Sequence, residues 1–115
     1  MVGFNHIITF NQNGKITDYQ KSYNKEYAKK LNIYLPLNFN NKKRYIAELS
    51  VAVNNTFPKQ IIKVEGYKSD TDLNLYQFDL TNLYNLQARR ELGLFRFKLY
   101  SDNHRTKFES EVFRI

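Results

Sequence analysis

Four stretches of this chain alternate apolar and polar side chains with a period of two, and that pattern restricts the fold more than any other feature. In 44–53, Tyr45, Ala47, Leu49, Val51 and Val53 share one face, opposed by Arg44, Glu48 and Ser50. In 93–101, Phe95, Phe97 and Leu99 oppose Leu94, Arg96 and Lys98, and in 73–80 Tyr76, Phe78 and Leu80 share a face. In 32–39, Ile33, Leu35, Leu37 and Phe39 lie opposite Tyr34, and Pro36 removes a backbone donor, which predicts an edge strand or a bulge. Period two places successive side chains on opposite sides of a strand, so each stretch is half buried against a second layer.

The remaining segments fill in the pattern. An apolar run at 4–10 is followed by Asn13-Gly14, a hairpin signal because both residue types tolerate positive φ, and a second strand is expected from Lys15 towards Tyr19. In 21–31, Tyr23, Tyr27 and Leu31 fall at i, i+4 and i+8, which predicts a short helix near 22–31 capped by Ser22 or Asn24. A tyrosine-rich strand and loop is the rival reading of that segment. Residues 59–67 form another strand with Ile62 and Val64 inward, 81–92 a short helix or long corner, and 107–115 a closing strand. About seven short strands, roughly 8–15 residues apart, without regular βαβ alternation, predict a mainly β protein. The expected architecture is one domain over 1–115, a small antiparallel β-sandwich of immunoglobulin type. A chain of 115 residues buries roughly two-thirds of its unfolded surface, enough for one core.

The sequence offers little for catalysis. There is no cysteine, which excludes thiolate metal sites, disulfides and cysteine nucleophiles. The two histidines, His6 and His104, stand far apart and without acids at ligand spacing; His6 reads as a structural histidine and His104 as a turn residue. Asp70 and Asp72 open like a calcium loop but lack its glycine and downstream glutamate. Glu109 and Glu111 alternate as a strand face would, which an acid pair shares with any wet strand. The expectation is no enzyme, no cofactor and no metal. No apolar run approaches the ~20 residues of a membrane-spanning helix, and no export signal opens the chain, so synthesis in the cytosol without a membrane partner is expected.

Binding is better served. The net charge of +7 is carried entirely by the first part of the chain: eleven Lys/Arg against four Asp/Glu up to Ser69, and seven of each from Asp70 onward. Within 15–44, Tyr19, Tyr23, Tyr27 and Tyr34 are interleaved with Lys21, Lys25, Lys29, Lys30, Lys42, Lys43 and Arg44, a candidate interaction surface. Stacking rings among cations suit single-stranded nucleic acid. The same residues suit a protein contact, since tyrosine supplies broad amphipathic area. Core-facing tyrosines under a lysine-coated surface are the structural alternative. The charged stretch 87–91 is a second, weaker candidate, read as solvent-exposed.

The carboxy-terminal third carries a family resemblance. Its amphipathic strand 73–80, corner, glycine-led aromatic strand 93–100, and closing Phe108, Phe113, Arg114 and Ile115 resemble the last strands of small immunoglobulin-like modules in bacteriophage tail baseplates. The nearest pattern is the amino-terminal domain of baseplate upper proteins. The resemblance covers about 40 residues, and the lysine-rich stretch from Tyr23 to Leu31 has no counterpart in it. It implies a non-enzymatic structural or adaptor component of a phage particle, located in the virion and made in the host cytoplasm. Its partners would be other virion proteins in a homo- or hetero-oligomer. A nucleic-acid-binding module using 15–44, and an intracellular inhibitor of a host protein, are the alternatives.

Overall fold

Backbone pairing turns the alternating stretches into two sheets whose inner faces meet. The computed structural model describes residues 3–26, 28–36, 46–52, 61–65, 67–68, 74–81, 94–101, 103 and 105–115. Among them nine strands run in chain order: β1 (Gly3–Phe10), β2 (Ile16–Asn24), β3 (Lys29–Tyr34), β4 (Ile46–Ala52), β5 (Ile61–Glu65), β6 (Tyr67–Lys68), β7 (Leu75–Asp79), β8 (Leu94–Tyr100) and β9 (Thr106–Glu109). One sheet has the order β2-β1-β3-β7-β6 and the other β5-β4-β8-β9. β1 and β3 are parallel, and the other pairings are antiparallel. The run β3-β7-β6 against β5-β4-β8-β9 follows the order of strands B, E, D and C′, C, F, G in an immunoglobulin-type sandwich. The mainly β sandwich expected from the alternation is therefore what the described residues form. Its strand count exceeds seven partly because 59–67 divides: β5 pairs with β4, and β6, one residue later, pairs with β7 in the opposite sheet.

The alternating faces meet as the period requires. Ala47, Leu49 and Val51 from β4, Tyr76 and Phe78 from β7 with Leu80 just beyond it, and Phe95, Phe97 and Leu99 from β8 are all buried. Ile62 and Val64 stand opposite Val51 and Leu49 in the β4–β5 register. The centre is Phe97, 0% exposed, whose ring contacts Phe10 across the sheets in a stacked arrangement at 6.3 Å. It also meets Tyr76 at 6.0 Å, Phe78 edge-on at 5.9 Å and Phe108 at 5.9 Å. Such ring pairs contribute about 0.5–1.5 kcal/mol each beyond the area they bury.

The first hairpin closes through a three-residue loop. The Gly14 N–H donates to the Asn11 carbonyl at 3.1 Å, the Asn11 N–H donates to the Lys15 carbonyl at 2.9 Å, and Gly14 holds φ at 75°. Asn11 Oδ1 accepts further bonds from the Asn13 and Lys15 amides. A type I turn followed by a left-handed glycine is the usual three-residue hairpin loop, so the Asn-Gly signal is realised in a longer form. The Gly14 α-carbon lies against the Glu109 carbonyl, and the Gly14 carbonyl accepts the Glu111 N–H at 2.8 Å. The loop is thereby fastened to the last segment of the chain.

Three sequence expectations are corrected here. Among the described residues no helix forms near 22–31: β2 continues to Asn24 and β3 begins at Lys29. The Asn24 side chain makes a turn in place of a cap, accepting the Glu26 N–H at 3.0 Å and donating to the Ala28 carbonyl at 2.9 Å. β1 then supplies ladder partners to both strands, so the backbone there has no use for helical bonds. Pro36 marks no edge strand: β3 lies between β1 and β7 and stops at Tyr34, before the proline. Glu109 and Glu111 do not share a strand face, because β9 ends at Glu109 and Ser110 turns inward. The Ser110 hydroxyl accepts the Phe97 N–H at 2.9 Å. The stretches 81–92 (beyond Thr81) and 87–91 lie outside the described residues, as do Tyr27, Lys42, Lys43, Arg44, Asp70, Asp72 and His104.

Two substitutions test this account by chemical denaturation. Phe97→Ala is expected to cost about 3–5 kcal/mol, because it removes the ring that four others pack against. Gly14→Ala is expected to cost at least about 2 kcal/mol, from positive φ and the Glu109 carbonyl together.

Candidate functional site

β1 alternates like the other strands, and its inward row is Phe4, His6, Ile8 and Phe10. Ile8 and Phe10 enter the core between the sheets, whereas Phe4 and His6 lie beyond its edge. In the antiparallel register Tyr23 stands opposite Phe4, Lys21 opposite His6 and Tyr19 opposite Ile8. Directly opposed residues project to the same side of a sheet, so these six form one surface. On the other flank of β1, Lys29 pairs with Phe4 and Leu31 with His6.

A register shift on β2 makes this surface compatible with the core. The pairing slips by one residue, so Thr9 faces Asp18 but Phe10 faces Ile16, leaving Thr17 as the extra residue of a bulge. The Thr17 hydroxyl bonds the Thr9 carbonyl at 3.3 Å. Because one slip exchanges the faces of a strand, even-numbered Ile16 packs against the core while odd-numbered Tyr19, Lys21 and Tyr23 share its side.

The cluster is internally bonded. The Tyr19 hydroxyl and His6 Nδ1 are hydrogen-bonded at 2.7 Å, and their rings lie 6.0 Å apart. Phe4 contacts His6 at 6.4 Å and Tyr23 at 5.2 Å, both tilted. The Lys21 ammonium sits 4.4 Å above the Phe4 ring centroid, a cation–π contact. Burial lowers the pKa of His6 below 6.5, and the charges of Lys21 and Lys29 lower it further. Burial also raises the Tyr19 phenol above its ordinary 10.0. The surface thus carries a neutral imidazole, a protonated phenol and two nearby cations.

The structure divides the residues singled out from sequence. Tyr19, Tyr23 and Lys29 belong to the surface, with Tyr23 73% and Tyr19 40% exposed. Lys30 and Tyr34, one position off in register from Lys29 and Ile33, occupy the opposite side of the sheet. Lys25 lies in the turn between β2 and β3, and Lys30 pairs there with Glu26 at 3.4 Å. Sequence reasoning missed Phe4 and His6 as members, although both lie in the alternating row of the first strand.

Elsewhere the described residues hold no constellation suited to catalysis. Glu109 pairs with Arg96 at 3.7 Å and Lys98 at 3.9 Å, while Glu111 pairs with Lys15 at 3.7 Å, so the two carboxylates serve different neighbours. No group of three His, Asp or Glu stands close enough for a metal among the described residues, and none of their helices is long and apolar enough to cross a membrane. Comparison with protein-family models, with curated proteins and with solved structures finds no match to this chain.

The histidine gives a pH signature. A lowered folded pKa means the unfolded chain binds more protons between that value and 6.5, so His6's contribution to stability is present above 6.5 and falls away as pH drops through that window. NMR titration of the His6 ring is expected to show a midpoint below 6.5, moving upward in Lys21→Met as one repelling charge is removed.

Proposed function

We propose that this chain is a non-catalytic docking module, a structural or adaptor component of a bacteriophage particle that works by protein–protein contact. The observation that carries the docking role is β2: nine residues at the rim of a sheet, exposed from Thr17 to Tyr23, yet holding tyrosines braced by Phe4 and His6 of the adjacent strand. Exposed aromatics held in fixed orientation lose little conformational entropy on binding, which is why such rings are enriched at interfaces. The particle setting draws on the likeness of 73–115 to immunoglobulin-like baseplate modules, and the B-E-D and C′-C-F-G strand order agrees with that likeness.

A nucleic-acid role receives less support. Single-strand binding needs cations and stacking rings along one groove. Here Lys30 and Tyr34 lie on the side of the sheet opposite Tyr19, Tyr23 and Lys29.

Mass spectrometry of gradient-purified particles from the source is the direct test. Peptides of this chain are expected in stoichiometric proportion to known structural proteins. Their confinement to the infected-cell lysate would remove the particle role.

A further inference from the structure

We propose that the outer edge of β2 binds an extended, acidic segment of a partner protein by strand addition. This rests on the docking role inferred above and names the surface and the chemistry of what it takes.

Three observations converge on that edge. The first is the direction of the backbone groups. Phe4 donates its N–H to Ala28 at 2.8 Å, on the β3 side, so alternation turns the amides of Asn5 and Ile7 towards β2. Their partners Ser22 and Gln20 use their own N–H and C=O groups on β1, which leaves those of Tyr19, Lys21 and Tyr23 directed outward. No described strand pairs with this side of β2. An incoming strand meets a row of donors and acceptors, the requirement for adding to a sheet.

The second observation is that the outward row lacks proline, short length and a bulge, so its guard against unselective pairing is the charge of Lys21. Natural edges are blunted by proline, by short length, by bulges or by charged side chains, lysine above all. Here the bulge sits at Thr17, before the outward row begins, and the segment from Asp18 to Asn24 pairs regularly with β1 and contains no proline.

The third is charge. Lys21 lies in the middle of the row and Lys29 shares its face, while the nearby acid Glu26 is engaged with Lys30. Asp18 alternates to the opposite side. A strand carrying carboxylates at alternate positions would set them on the face that Tyr19, Lys21 and Tyr23 share, around the Lys21 ammonium. A second copy of this chain fits less well, because it would bring its own Lys21 and the same basic surplus to the contact. Single-stranded nucleic acid would make no use of the backbone row, and one face of Phe4 is already covered by Lys21.

The test uses the full chain and a capped nine-residue peptide alternating Glu and Val, followed by fluorescence anisotropy and amide hydrogen exchange. Binding is expected, with slowed exchange at the amides of Tyr19, Lys21 and Tyr23. Methylating every second peptide nitrogen on the pairing edge leaves the charge intact and is expected to weaken binding about tenfold or more. A Lys/Val peptide should bind poorly to the native chain and better to Lys21→Glu, whose fold is checked by circular dichroism. Equal affinity for the methylated peptide, or no binding of the Glu/Val peptide, would overturn strand addition. Either result could coexist with the chain's presence in purified particles, so the docking role is judged separately. Tighter, steeply salt-dependent binding of oligothymidylate than of the Glu/Val peptide would overturn the proposal in favour of nucleic acid.

Discussion

The packing of Phe97 against four other rings is the interaction on which the arrangement of the two sheets depends. Each sheet completes its own hydrogen-bond ladder, so pairing alone leaves their relative placement open. Besides the backbone bond between Gly14 and Glu111, side-chain contact joins them: Phe10, Tyr76 and Phe78 reach Phe97 from the first sheet, and Phe108 packs beside it from the next strand of its own sheet. Rings at such distances prefer particular mutual angles. The cluster therefore sets orientation as well as affinity between the layers. Ser110 supports it from the backbone side by supplying the acceptor that the Phe97 amide requires.

The placement of β1 has a second consequence. It lies between β2 and β3 and pairs with both, so the exposed rim strand is held to the core through one intermediary. The inward row of β1 divides its labour along its length: Ile8 and Phe10 fill the core, while Phe4 and His6 brace rings that face outward. A surface built this way is stiff without being buried. The bulge at Thr17 lets one strand satisfy both demands, since a regular strand could not turn Ile16 inward and keep Tyr19, Lys21 and Tyr23 on the same side.

Much of the sandwich was legible because burial imposes period two wherever one face is covered. Ala47, Leu49 and Val51, Tyr76, Phe78 and Leu80, and Phe95, Phe97 and Leu99 all lie inward as their spacing indicated. Local patterns misled where a distant partner decided the outcome. Tyr23, Tyr27 and Leu31 fit a helical period, but residues on both sides of the Asn24 turn are claimed by β1, about 20 positions earlier in the chain. The candidate surface was half legible for the same reason. Its tyrosines and lysines stand together in the sequence, whereas Phe4 and His6 join them only across the ladder, and no spacing rule within one segment could have introduced them. The parity that separates Lys29 from Lys30 follows from the β1–β3 register, which composition does not reveal.

The fastening of the Gly14 loop to the end of the chain bears on how the protein is made. Phe10, just before that loop, packs on Phe97, Phe108 and Phe113, and the Gly14 carbonyl waits for the Glu111 amide. Residues through Phe113 must leave the ribosome before Phe10 has met all three of these rings. At roughly 5–20 residues per second, the interval from Phe10 to Phe108 is about 5–20 s. During that time an aromatic hairpin with an unpaired edge is open to other chains. Folding dominated by such distant contacts is also slow in itself. The nascent protein thus spends its most adhesive moments before its own last strand arrives, a vulnerability set by connectivity and independent of how stable the finished sandwich is.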